Sequence, residues 1–145
     1  MSDEQFTIPY GSNTYCGPAA LAYVTRTTPD ESARHLRRVG NKRSIRGVSN
    51  TLLLKTLTDL GVRYSDAGPR VCYTSGTGRQ LREKPTFKQW WLGTDKGTEY
   101  IVNITGHYIV LHNDVVFDNR FHLGKALHLC PYLRRRVRMA WRIER

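Results

Sequence analysis

With 145 residues, 39% of them hydrophobic and 24% charged, the chain has the size and composition of one folded domain, which excludes an intrinsically disordered protein and a pair of independently cored domains. A formal net charge of +11 at pH 7 favours nucleic acid, anionic membrane surfaces or acidic proteins as partners and does not choose among them. Three widely spaced cysteines make no disulfide framework and point to a reducing compartment; the polar start MSDEQFTIPY shows no secretory signal and no stretch is apolar enough to span a bilayer, so a cytoplasmic location is expected.

Residues 1–15 are polar and rich in turn formers, and are expected to be an irregular lead-in. A helix should open near Cys16, where Gly17-Pro18 gives a turn and a proline suited to a first helical turn, followed by the helix formers Ala19, Ala20, Leu21 and Ala22. Thr28-Pro29-Asp30-Glu31 predicts a second helix start with a capping box, and Ser49 is expected to cap a third helix with Leu53, Leu57 and Leu60 on its inner face and Gly61 at its end. From Val62 to Gly78 only Val71-Cys72-Tyr73 suggests a short strand, and Thr86 with Gln89 predicts a short helix carrying Trp90 and Trp91. After that the period changes: Tyr100–Ile104, His107–Leu111 and Val115–Asp118 are β-branched or aromatic runs between turn residues, and Val137, Met139, Trp141 and Ile143 alternate with Arg136, Arg138, Ala140 and Arg142 as a half-buried strand would. The fold class predicted is α+β, one domain over 1–145: helical at 16–61, mixed and loop-rich at 62–99, and an antiparallel sheet at 100–145.

Cysteine attacks as its thiolate, and a helix N-terminus favours negative charge through its unpaired amides and dipole, so the position of Cys16 suits a nucleophile. Its own backbone amide is a candidate oxyanion donor, and Gly17 would let the backbone pass close to a substrate. His107, after Gly106 and at the start of an apolar strand, is the candidate base. If Asn113-Asp114 is a two-residue hairpin loop, Ile109 opposes Asp118 and His107 opposes Arg120, which makes Asp118 a diagonal neighbour of His107 on the same face. A three-residue loop reverses that parity and brings up Asn119 instead, so either Asp118 or Asn119 fills the orienting role.

The segments Asn13-Thr14-Tyr15-Cys16-Gly17-Pro18-Ala19-Ala20-Leu21, Gly106-His107-Tyr108-Ile109-Val110 and Val116-Phe117-Asp118-Asn119 resemble papain-like cysteine peptidases, nearest the compact bacterial and viral members related to double-glycine leader peptidases. The resemblance implies a papain-like domain with the nucleophile at the start of the first helix, a Cys-His-Asp/Asn triad, a protein or peptide substrate and no cofactor. Small basic members of this look occur among bacteriophage proteins, which implies a viral source and a host cytoplasm as the place of work. The sequence departs from the pattern where the family carries a glutamine six residues before the nucleophile: Tyr10 stands there, Asn13 and Gln5 are at other spacings, and the oxyanion donor stays open among Cys16, Asn13 and Tyr10.

Other candidates read as structural. Cys72 and Cys130 are expected to pack, His35 to sit on a solvated basic helix face, and His112, His122 and His128 lack the spacing of a metal site. Trp90 and Trp91 are expected as core and rim aromatics, either able to line a peptide groove. The arginines at 134, 135, 136, 138, 142 and 145 read first as a solvated strand face. They also support the alternative function, a catalytically weak or inactive fold that binds an acidic protein or nucleic acid through its basic surface.

Overall fold

Helix starts are decided by side chains that satisfy the first free amides. In the computed structural model, which describes residues 16–43, 47–68, 72–76, 79–121 and 124–145 (backbone only at 72–76 and 79–83), α1 spans Cys16–Thr25, α2 Pro29–Gly40 and α3 Asn50–Asp59. The Thr28 hydroxyl accepts from the Glu31 amide and Ser49 from the Leu52 amide, while Asn41 in the left-handed region ends α2 (φ 51°). The Thr86–Gln89 capping box forms in full and starts α4, Phe87–Leu92.

The strands are β1 (Arg63–Gly68), β2 (Cys72–Gly76), β3 (Arg79–Glu83), β4 (Glu99–Ile104), β5 (His107–His112), β6 (Val115–Phe117), β7 (Lys125–Ala126) and β8 (Val137–Glu144). β2 and β3 pair as a hairpin; the others form one antiparallel six-stranded sheet in the order β1-β8-β4-β5-β6-β7. The class is therefore α+β. The loop-rich reading of 62–99 is corrected: Arg63–Gly68 is an edge strand of the main sheet, paired with β8, and 72–76 and 79–83 are strands as well. Val71 lies outside the described residues.

Both faces of the sheet are covered. On one, α1, α2 and α3 bring Leu21, Val24, Leu36, Leu53 and Leu57 onto Ile101, Tyr108, Val110 and Trp141. On the other, Phe87 and Trp90 of α4, with Leu127, Cys130 and Tyr132, pack on Tyr100, Val102, Ile104, Ile109 and Leu111. This second layer corrects the solvent-facing alternation expected of β8. Pairing slips between Asn103 and Ile104, so that Ile104 faces Val137 and Asn103 faces Met139, leaving Arg138 as the extra residue. Past that bulge Val137 changes face and joins Ala140 in the second core, while Met139, Trp141 and Ile143 stay against the helices.

Candidate active site

The β5–β6 connection is Asn113-Asp114, both with positive φ (52° and 61°), the conformation of a type I′ hairpin turn. Val110 pairs with Phe117, Leu111 with Val116 and His112 with Val115, which is the two-residue register. The ladder ends at Phe117, and Asp118 then turns back toward the start of β5: its Oδ2 lies 2.7 Å from Nε2 of His107.

Asp118 is held on every side. Its Oδ1 accepts the backbone amides of Arg120 (2.9 Å) and Phe121 (2.7 Å), and Oδ2, besides His107, accepts the hydroxyl of Tyr132 at 2.7 Å. The carboxylate is wholly buried. Burial works against its charge, but the bonds from His107, Tyr132 and the two amides prevail and hold its pKa below the ordinary value.

An ionised Asp118 fixes a proton on Nε2 of His107, and the other hydrogen-bonding neighbour of the ring is the side chain of Cys16. Burial alone would pull the His107 pKa down. The hydrogen bonds and negative charges of Asp118 and Cys16 outweigh it and raise the pKa from 6.5 to about 9. The structure thus brings Cys16, His107 and Asp118 together in one chain of contacts. Asn119 is buried beside Asp118 and does not hold that bond.

Two further elements set the positions of the candidate groups. The turn before His107, Thr105-Gly106, has positive φ at both residues (50° and 82°), and the Gly106 amide donates to Asn103 Oδ1 at 2.9 Å. Asn103 in turn donates to Asn50 Oδ1 (2.9 Å), and the Tyr108 hydroxyl lies 2.7 Å from both Asn50 Oδ1 and the Val48 carbonyl. The start of β5 is thereby tied to the loop and helix start beneath α1. Burial first, and the negative charge of Cys16 second, raise the Tyr108 pKa, which places that phenol near the sulfur.

Gly17 has a packing role. A Cβ there would lie 2.5 Å from Cγ2 and 2.8 Å from Cβ of Val48, so the missing side chain is what lets α1 start against the 47–49 loop. The Cys16 amide lies in the first turn of α1, where backbone N–H groups have no intrahelical acceptor. Tyr10, Asn13 and Gln5 lie outside the described residues, as does His122. Cys16 is 3% exposed, and the His107 side chain keeps 9%.

The remaining predicted residues fall elsewhere. Cys130 is buried in the second core, and the side chain of Cys72 is outside the described set. His112 Nδ1 bonds the Tyr23 hydroxyl at 3.1 Å, His35 bonds Arg38, and His128 is exposed; among the described residues no group of metal-ligating side chains converges. Trp91 bonds Asp114 and lies under Lys96, whereas Trp90 lines a cleft of about 820 Å³ with Asp66, Gln89, Tyr100 and Arg142. That cleft touches neither Cys16 nor His107, so it lies apart from the converging hydrogen bonds, which decide the candidate site. Tyr132 is the participant that sequence reasoning missed: it lies in an aperiodic segment, fourteen residues from the carboxylate it contacts.

No protein-family model matches the chain, and no curated protein or solved structure matches it.

Proposed function

We propose that the protein is a papain-like cysteine hydrolase that cleaves a peptide or isopeptide bond with Cys16 as nucleophile, His107 as acid and base, and Asp118 as the group that orients His107. The observation that carries this reading is the placement of His107 between a thiol and a carboxylate that accepts four hydrogen bonds. With its pKa raised to about 9, His107 is a cation at neutral pH and stands beside the Cys16 sulfur as a proton donor.

The thiolate adds to the scissile carbonyl, and the oxyanion that forms meets the first-turn amide of Cys16. The imidazolium gives its proton to the departing amine, leaving an acyl thioester and neutral His107. Water then attacks the thioester, His107 takes the water proton, and the acid product leaves with the sulfur again anionic. Asp118 stays ionised throughout, because a proton on either oxygen would have to displace the two donors bound there. If the leaving amine is ammonia the same steps deamidate glutamine, and if a second amine replaces water they transfer the acyl group.

Alkylation tests the arrangement directly. Iodoacetamide at pH 7 is expected to modify Cys16 well ahead of Cys130, whose pKa burial pushes up, with His107→Ala slowing the Cys16 reaction at least about tenfold. Equal rates at the two thiols, or no effect of His107→Ala, would remove the reading and leave the basic surface as the functional part.

A further inference from the structure

Charge is distributed unevenly between the two ends of the sheet. At the end away from His107 four cations are paired, Arg26 and Arg145 with Glu99, Arg142 with Asp95 and Lys96 with Asp114, while Arg63 is exposed. The other end is formed by the last residue of β4, the first of β5 and the first of β8, since Ile104 pairs with both His107 and Val137. Around it Arg120, Arg134, Arg135 and Arg138 are exposed, and among the described residues none of these four forms an ion pair with a carboxylate.

These arginines are close to the triad. Arg120 follows Asp118 by two residues, with its amide on that carboxylate. Two steps of 5.3 Å lead from the Arg135 guanidinium to the Tyr132 ring and from that ring to the imidazole. The chain just before β8 is fixed beside the catalytic turn, because Thr105 Oγ1 donates to the Arg136 carbonyl at 3.4 Å. Among the described side chains the carboxylate placed there is that of Asp118, which is buried and already engaged.

We infer that the arginines at this end form a docking rim for an acidic polypeptide, which makes the substrate a segment rich in aspartate or glutamate around the bond to be cut. This rests on the proposed hydrolase reading and names its substrate class. Guanidinium groups recognise carboxylates by paired, charge-assisted hydrogen bonds, and a field of one sign at a site entrance raises the encounter rate of ligands of opposite sign. A polypeptide is favoured over nucleic acid because the rim borders a thiol–imidazole pair whose chemistry acts on acyl groups.

Peptide vinyl sulfones in a glutamate-rich, an uncharged and a lysine-rich version provide the probes. The Cys16 thiolate adds to the vinyl carbon, His107 supplies the proton to the carbon beside the sulfone, and the adduct is counted by intact mass. At low salt the glutamate-rich probe is expected to label Cys16 about tenfold faster than the uncharged one and the lysine-rich probe to be slowest. The ratio should fall toward one near 1 M salt, where the screening length drops to about 3 Å, and also in the Arg120→Gln, Arg134→Gln, Arg135→Gln, Arg138→Gln variant. Because each ratio is taken within one protein, loss of overall reactivity in the variant does not mimic the effect. Equal rates for the three probes, or an RNA oligomer that binds more tightly than the acidic peptide and blocks all three alike, would overturn the rim. Iodoacetamide separates the two failures: selective, His107-dependent labelling of Cys16 with no charge preference sinks the substrate class alone, and unselective labelling sinks the hydrolase with it.

Discussion

Asp118 sets the behaviour of His107, because burial and hydrogen bonding push the imidazole in opposite directions and the carboxylate supplies the larger part of the bonding. The direction of its removal follows. In Asp118→Asn the burial penalty stands with weaker opposition, so the His107 pKa falls from about 9 toward or below the ordinary 6.5. A rate that needs the imidazolium is then lost at lower pH: the alkaline limb of vinyl sulfone addition at Cys16, in which His107 supplies a proton, is expected near pH 9 in the native protein and at least about one unit lower in the variant. An unchanged limb would mean that Asp118 does not tune the imidazole. His107 and Asp118 were legible in the sequence because a two-residue turn fixes parity by counting, and parity decides which side chains share a face. Tyr132 was not legible, since neither pattern nor turn chemistry links it to a partner fourteen positions away.

Among the elements, those closed by local chemistry were the readable ones. The caps at Thr28, Ser49 and Thr86 each bond an amide three residues on, so the whole interaction lies within four residues of sequence. β1 hid because its half-exposed run RYSDAG lacks apolar alternation and its partner lies across the chain, with Arg63 facing Glu144. The packing role of Gly17 was hidden for a related reason: helix-start glycines look alike in sequence, whereas the contact that requires this one comes from Val48. Gly17→Ala should therefore push α1 off the 47–49 loop and cost about 1–3 kcal/mol by overpacking, despite alanine being the better helix former. Urea unfolding checks the cost, and a variant as stable as the parent would show that Val48 gives way freely.

For the whole molecule, Glu99 is the clasp. It is 4% exposed at the start of β4, takes Arg26 from the end of α1 at 3.1 Å and Arg145 from beyond β8 at 3.0 Å, and so joins the helical layer, the sheet and the final strand. Glu99→Ala strands two arginines that are each about half exposed and can be rehydrated, so the loss should be about 2 kcal/mol, less than for a wholly buried pair. Equilibrium denaturation reads it, and a change under about 0.5 kcal/mol would reduce the clasp to an ordinary surface pair. The sheet order carries a further consequence, for synthesis. β8 lies between β1 and β4, so the nascent chain holds an unfilled slot in the middle of its sheet until residues 137–144 have emerged from the ribosome. The three candidate groups, Cys16, His107 and Asp118, are thus all translated before the strand that joins β1 to β4 beneath them.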